Sequence, residues 1–332
     1  MNTYLVTGGA GFIGSNCIHY LMEKYGSNIK VLNLDVLTYS GNRSNVEIYD
    51  SYGNYQFIHG NICDEELIKK IFNENDIDFV VHFAAQTHVD RSILSAKEFA
   101  ETNVIGTLNL LNAAKDTWKI TELGKKRFLY VSTDEVYGEL PEEGCFSEKT
   151  PLKPRNPYSA SKAAGDMMTQ AFYETHHLPV LITRCSNNYG PYQHEEKLIP
   201  LLIKCCLSGT EIPVYGDGRN VRDWLYVTDH CDAIDNVLHN GRIGEVYNIG
   251  GHNEYTNIEV INKVSEVLHK EYGVEPSPLN YVEDRKGHDR RYAIDPSKIM
   301  TELEWKSKTA FEEGLRKTVH WYMEHKDFLN IF

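Results

Sequence analysis

Long apolar runs are missing from this 332-residue chain. Stretches such as FVV and HFAA, around residues 79–85, fall far short of the roughly 18 residues that a membrane span requires. The opening MNTYLVTGG enters a strand-like segment directly, without the basic region and cleavage site of a signal peptide. The sequence therefore reads as a soluble, cytoplasmic protein. Positive charge is also scarce, with 34 Lys and Arg against 47 Asp and Glu and a net charge of −13. That balance argues against nucleic acid or an anionic membrane as the partner, because both reward a basic surface. Any anionic ligand must be met by basic groups gathered locally. The seven cysteines, at positions 17, 63, 145, 185, 205, 206 and 231, never form a C-x-x-C pair. They read as reduced thiols, and no metal site is expected. Internal repeats, low-complexity tracts and long linkers are absent too, so the length suits one large domain or two intimate ones.

What is present is a rhythm. The segments TYLVTGG, GSNCIHYLMEKYG, KVLNLD, EELIKKIFNEN, DFVVHFAA, a long helix near 97–118 and RFLYVST alternate strand and helix patterns. Short, continuous apolar strands between amphipathic helices imply a parallel sheet covered on both faces, a doubly wound α/β fold. The pattern continues through a helix at NPYSASKAAGDMMTQAFYETH to a strand at PVLITRCSN, then loosens after residue 186. Residues 1–185 read as a dinucleotide-binding domain and 186–332 as a smaller, interleaved α/β region, with the chain returning to the first body near 224–250. Within the second region EIPVYGDGRNVRDWLYV suggests a pair of short strands.

VTGGAGFIGSN places Gly8, Gly11 and Gly14 between the first strand and the first helix. Small residues there let backbone approach a pyrophosphate, whose charge then sits at the helix N-terminus. A tight turn without a ligand is the plainer alternative. Asp35 ends the second strand, where an acid accepts hydrogen bonds from an adenosine ribose and repels a 2′-phosphate, favouring NAD over NADP. Asp also starts turns readily, and that alternative stands beside it. GNIC at 60–63 and FAAQT at 83–87 follow later strands, on the side of the sheet where a dinucleotide is flanked.

NPYSASKAAG sets Tyr158 and Lys162 four residues apart on one helix face, with Pro157 able to open the first turn. A lysine cation beside a phenol favours the phenolate, so Tyr158 can take a proton from an alcohol. Helix pairs of this kind also serve structure alone. Thr133, at a strand end, supplies a hydroxyl that could orient the same oxygen. Directly after it stand two adjacent acids, Asp134 and Glu135. In a continuing strand their side chains would point to opposite faces, so they share a pocket only if the strand gives way to loop.

The glycine motif, Thr133 and the Tyr158-x-x-x-Lys162 pair together resemble the extended short-chain dehydrogenase/reductase family, over essentially the whole chain. STDEVYG, AAQTHVDRS, RCSNNYGPYQHEEKLIP, NVRDWLYVTDH, YNIGGHNEYTN and GHDRRYAID resemble its nucleotide-sugar 4,6-dehydratase branch. The resemblance implies a Rossmann fold, a bound NAD and a nucleotide-sugar substrate, with dTDP-glucose expected. The implied reaction oxidises C4, eliminates water across C5 and C6, and returns the hydride to C6. It assigns Tyr158, Lys162 and Thr133 to the oxidation, Glu135 as base at C5 and Asp134 as acid at the C6 hydroxyl.

For the cofactor, the resemblance adds Phe12 and Ile13 beside the glycines, Leu37 and Thr38 after Asp35, then Asn61 and Ile62. Phe83, Ala84 and Ala85, with Thr102 and Asn188, complete that wall. For the substrate it implies Arg222, Asn257, Arg285 and His288 about the pyrophosphate. Thr87, Asn187 and Lys197 follow along the sugar, and Tyr215 stands as a wall for the base or as a plain strand residue. Gln86 stands where the branch mostly has Glu, and Asn61 where Asp commonly meets adenine; Asn keeps an acceptor oxygen. The resemblance also implies a homodimer. A nucleotide-sugar 4-epimerase or decarboxylase would share Tyr158 and Lys162 without needing both acids. A UDP-sugar substrate stays open, as does an NAD-binding regulatory protein in which catalysis has lapsed.

Overall fold

The computed structural model describes residues 1–119 and 124–330. The chain opens with β1 (Asn2–Thr7), α1 (Phe12–Tyr25), β2 (Ile29–Asp35), β3 (Tyr55–His59), α2 (Glu65–Glu74) and β4 (Phe79–His82). A helical stretch follows, with α3 (Val89–Leu94), α4 (Lys97–Ala100) and α5 (Thr107–Thr117), then β5 (Arg127–Thr133), α6 (Pro157–His176) and β6 (Val180–Cys185). Next come β7 (Asn187–Tyr189), α7 (Leu198–Ser208), β8 (Ile212–Tyr215), β9 (Val221–Tyr226), α8 (Val227–Asn240) and β10 (Val246–Ile249). The last elements are β11 (Glu254–Thr256), α9 (Asn257–Tyr272), β12 (Leu279–Val282), α10 (Ser297–Leu303) and α11 (Phe311–Glu324). No helix among the described residues is long and apolar enough to cross a membrane.

Seven strands form one parallel sheet in the order β10-β6-β5-β4-β1-β2-β3, the doubly wound arrangement expected from the alternating pattern. Both faces are dry, which explains why the strands read as unbroken apolar runs. Tyr4, Val6, Leu129 and Val131 point to the face covered by α1 and α8. Their neighbours Leu5, Phe128 and Tyr130 point to the face covered by α2 and α5. The edge strand β3, the strand that GNIC follows, has only a short apolar run, with Gln56 and His59 exposed.

Beyond β6 the chain builds a second core around Tyr189, Ile203, Trp224, Val264 and Phe311, contributed by β7, α7, β9, α9 and α11. The strand pair read from EIPVYGDGRNVRDWLYV does not form. Instead β8 pairs with β12, while β9 lies between β7 and β11. The turn between β8 and β9 has Gly216 and Gly218 at φ +57° and +68°, and Asn257 and Ile258 bond to Asn220 and Gly218. The backbone there is held by α9 and not by a facing strand, which local pattern could not show.

The helix expected near 97–118 is also modified. A π turn occupies Glu101–Gly106 between α4 and α5. Its buried Asn103 exchanges hydrogen bonds with the backbone of Gln86, at 2.8 and 3.0 Å, and donates to Ser161 at 2.8 Å. These contacts to other elements hold a wider turn that helical propensity alone disfavours.

Candidate active site

A cleft lies at the carboxyl ends of the central strands, where the order reverses between β1 and β4. Gly8, Gly11 and Gly14 line one end. A Cβ on Gly14 would come within 2.2 Å of the Gly8 carbonyl, and one on Gly8, at φ +73°, within 2.6 Å of the Ala84 amide. A Cβ on Gly11 would meet only the Gly8 carbonyl, at 3.3 Å, so a larger residue would take up cleft space at the head of α1. That helix has no side-chain cap and no acid in its first turn, which leaves its positive end for an anion. Phe12 and Ile13 line the same end.

Asp35 closes β2 with its carboxylate fixed by the amides of Ala10 and Leu37, at 2.9 and 2.8 Å. Leu37 has φ 54° and acts through that amide without lining the cleft. Thr38, Asn61 and Ile62 continue the wall, followed by Phe83, Ala84 and Ala85, then Thr102 and Asn188. Asn61 spends its side-chain oxygen on the Cys63 amide, at 2.9 Å. A glycine cradle, an uncapped helix end and a carboxylate on the second strand fit a dinucleotide without a 2′-phosphate.

At the other end β5 stops at Thr133 and the chain winds into a single 3₁₀ turn, Asp134–Tyr137. Thr133 caps that turn, its hydroxyl 3.3 Å from both the Glu135 amide and the Asp134 carboxylate. The strand therefore ends where the two acids begin, and both carboxyl-bearing residues line the cleft. Asp134 is 2% exposed, and one of its carboxylate oxygens is buried without a partner. Burial, followed by the neighbouring Glu135 charge, pushes the Asp134 carboxyl well above the usual range. Burial also raises Glu135, but Arg222 and Lys197 pull it back. Asp134 is therefore pushed further toward its protonated form than Glu135, whose neighbouring cations favour the carboxylate.

Helix α6 is set by a capping box between Asn156 and Ser159, with Pro157 in its first turn. It carries Tyr158 and Lys162 into the cleft beside Thr133. The lysine's hydrogen bond goes to the sheet and not to the phenol. Lys162 donates to the Val131 carbonyl at 2.7 Å, and burial pulls its ammonium down to about 8. Burial and then the Glu135 charge push the Tyr158 phenol well above 10, against a lowering hydrogen bond with Thr133. Desolvation is the largest cause of that rise.

The substrate candidates divide. Thr87, Asn187 and Lys197 line the cleft, as does Gln86. Tyr215, Arg222, Asn257, Arg285 and His288 do not; they lie on the second-core side. Arg222 reaches back electrostatically, since it lowers both acids, while its fork holds the Asp289 carbonyl at 3.0 Å and lies over the Tyr292 ring. Arg285 stacks on Tyr215 at 4.4 Å and pairs with Asp90 at 3.0 Å. His288 sits 2.6 Å from Asp284, and Asn257 starts α9.

Two further residues stand out only in the structure. Glu196 lines the cleft between His88, His194 and Lys197, at 3.5, 3.7 and 3.4 Å. Asn156, which caps α6, also hydrogen-bonds Glu135; its position just before Pro157 was the available signal.

A family model described as GDP-mannose 4,6 dehydratase matches residues 5–318. A dTDP-glucose 4,6-dehydratase of Xanthomonas campestris is 50% identical over 337 residues, covering 99% of this chain and 95% of that protein. The crystal structure of a Bacillus anthracis dTDP-glucose 4,6-dehydratase in complex with NAD is 49% identical, with a TM-score of 0.87 and 98% of each chain covered. That of a dTDP-glucose 4,6-dehydratase from Streptomyces venezuelae, with NAD and TYD bound, is 46% identical, with a TM-score of 0.90 and the same coverage.

Proposed function

This chain belongs to the GDP-mannose 4,6 dehydratase family, and from that membership we propose that it is an NAD-dependent hydro-lyase converting dTDP-glucose to dTDP-4-keto-6-deoxyglucose. Full-length relatives at about half identity carry the dTDP-glucose name. One observation within the site carries the reading: Asp134 and Glu135 open from a single turn into the cleft that holds Tyr158 and Lys162.

The glycine cradle, Asp35 and the cleft wall from Asn61 to Ala85 would hold NAD. When bound, its nicotinamide supplies what no side chain can, a hydride acceptor at C4 that becomes a donor at C6. Tyr158, steadied by Thr133 and by the nearby Lys162 charge, takes the C4 hydroxyl proton. The resulting 4-ketone acidifies C5, and ionised Glu135 removes that proton. Protonated Asp134 gives its proton to the C6 hydroxyl, which departs as water. Glu135 then returns its proton to C5 as C6 is reduced. The proton gained by Tyr158 balances the one lost by Asp134, so the net change is the loss of one water.

Lys197, Asn187 and Thr87 would meet the sugar, with Arg222, Arg285 and His288 closing on the pyrophosphate, Asn257 beside it and Tyr215 against the base. The first body, residues 1–185 with a return near 224–250, would hold the cofactor, and residues 186–332 mainly the substrate. A homodimer is supported by apolar residues on adjoining elements, Met167 and Met168 on α6 and Ile105 on the π turn, exposed by 62%, 37% and 48%. A cytoplasmic enzyme suits a nucleotide-sugar substrate.

The test is turnover of dTDP-glucose by the purified protein without added reductant, beside UDP-glucose and GDP-mannose. Formation of the 4-keto-6-deoxy product from dTDP-glucose in preference to the others supports the reading. A stoichiometric demand for reduced cofactor, or 4-epimerisation in its place, would sink it.

A further inference from the structure

Behind the cleft wall lies a buried charged cluster that the reaction above does not use. Arg184 on β6 and Asp166 on α6 are 5% and 2% exposed. The guanidinium forks onto the carboxylate through Nε and Nη2, each 2.8 Å from an oxygen. Its third nitrogen donates to the Tyr137 hydroxyl at 2.9 Å, and that hydroxyl donates to Asn248 Oδ1 on β10 at 2.7 Å. The Asn248 amide group in turn donates to the Phe146 carbonyl at 3.0 Å. Buried ion pairs add little net stability over apolar packing of the same volume, so the location of this one is its telling property.

Asp166 follows Lys162 by four residues and Tyr158 by eight, on one side of α6. Tyr137 follows Glu135 by two and completes the turn that carries both acids. Cys185, next to Arg184, lines the cleft. One guanidinium therefore grips both the helix of the C4 chemistry and the turn of the C5 and C6 chemistry.

We propose that Arg184, acting through Asp166 and Tyr137, is a positioning residue that fixes the Asp134–Glu135 turn relative to Tyr158. The proposal rests on the dehydratase reading above. An arginine suits the task because its planar fork sets direction as well as charge, which a lysine does not. The Tyr137 ring is held separately by stacking on Phe146, with centroids 4.9 Å apart, so its hydroxyl can be removed with the ring still packed. Loosening this arm leaves the oxidation residues in place and lets the acids drift from C5 and C6. A misplacement of about 1 Å can slow a step by about 10²-fold.

Tyr137→Phe and Arg184→Lys are compared with the unaltered enzyme on dTDP-glucose. Three quantities are read, namely KM, the single-turnover absorbance of reduced nicotinamide set against product, and the thermal midpoint. In Tyr137→Phe, KM stays within about twofold and reduced nicotinamide forms at its usual rate, while product slows by about 10-fold or more and the reduced form persists. Its thermal midpoint falls by a few degrees, because Arg184 and Asn248 each lose a buried partner. Arg184→Lys shows the same split, larger. If reduced nicotinamide and product keep step in Tyr137→Phe, whether both slow or neither does, the proposal is overturned and the cluster is packing alone. Should Arg184→Lys fail to fold, Tyr137→Phe decides by itself. An unaltered enzyme that does not dehydrate dTDP-glucose shows instead that the dehydratase reading is wrong, and the positioning proposal falls with it.

Discussion

Lys162 turns its ammonium to the carbonyl of Val131, 2.7 Å away on the neighbouring strand, although Tyr158 stands one helical turn before it on α6. The lysine is anchored to the sheet, and in the proposed reaction it would act on the phenol as a fixed charge. The phenol itself is raised by burial and by Glu135, and in the proposed reaction the lysine charge is what would favour the phenolate.

A pH dependence follows from this anchoring. The ammonium is lowered to about 8 by burial, so its charge is present below that pH and lost as pH rises through it. The pH profile of kcat/KM, which reports ionisations of the free enzyme, is expected to fall above about pH 8. Arginine keeps its charge throughout this range, so Lys162→Arg should be slower yet lack this upper limb. An unchanged limb in that variant would assign it to another group.

The two halves of the chemistry should separate by mutation. Glu135→Gln retains size and hydrogen bonding but removes the base, so turnover is expected to fall by about 10²–10⁴-fold, with reduced nicotinamide forming and persisting on the enzyme. Tyr158→Phe blocks its formation at the outset. Equal loss of reduced nicotinamide in both, with substrate still bound, would remove Glu135 from C5.

Asp134 should also cost the fold stability. Its folded pKa is raised by burial and by Glu135, so the folded chain binds that proton more tightly than the unfolded one. The associated stability is present below the unfolded value, about 3.9, and is lost as pH rises through the folded value. Asp134→Asn is therefore expected to melt a few degrees above the parent at neutral pH, with the gap closing toward pH 4. Denaturation followed across that range checks it, and a gap that widened on acidification would contradict the sign.

Much of this was legible in the chain because it is local. The run RFLYVST and its neighbours are apolar along their whole length because both sheet faces are covered, and the glycines of VTGGAGFIGSN sit where strand meets helix. The acids at 134 and 135 raised the right question, because adjacent residues share a pocket only where a strand stops. What was not legible depends on remote partners. Strand β8 takes β12 and not β9, Arg222 reaches the acids from the second core, and the π turn follows from Asn103 meeting Gln86 and Ser161. None of these leaves a periodic trace.

The proposed dimer can be checked at its most exposed apolar point. Met167 projects from α6 beside Met168. A charge at a buried subunit contact is poorly tolerated, so Met167→Glu is expected to convert a dimeric mass to a monomeric one at micromolar concentration. A parent protein that is already monomeric would refute the assignment of this face.

Strand β10 lies at one edge of the parallel sheet, beside β6, yet 60 residues separate Cys185 from Val246. During synthesis the sheet therefore waits. Until residues 246–249 have left the ribosome, β6 presents an open row of backbone donors and acceptors to any passing strand, and Tyr137 lacks the Asn248 acceptor that it meets in the finished protein. The last strand to join this sheet both covers the open side of β6 and completes the support behind the acids. A nascent chain released before that point should be prone to aggregation, and the acid-bearing turn should be among the last parts of the molecule to take shape.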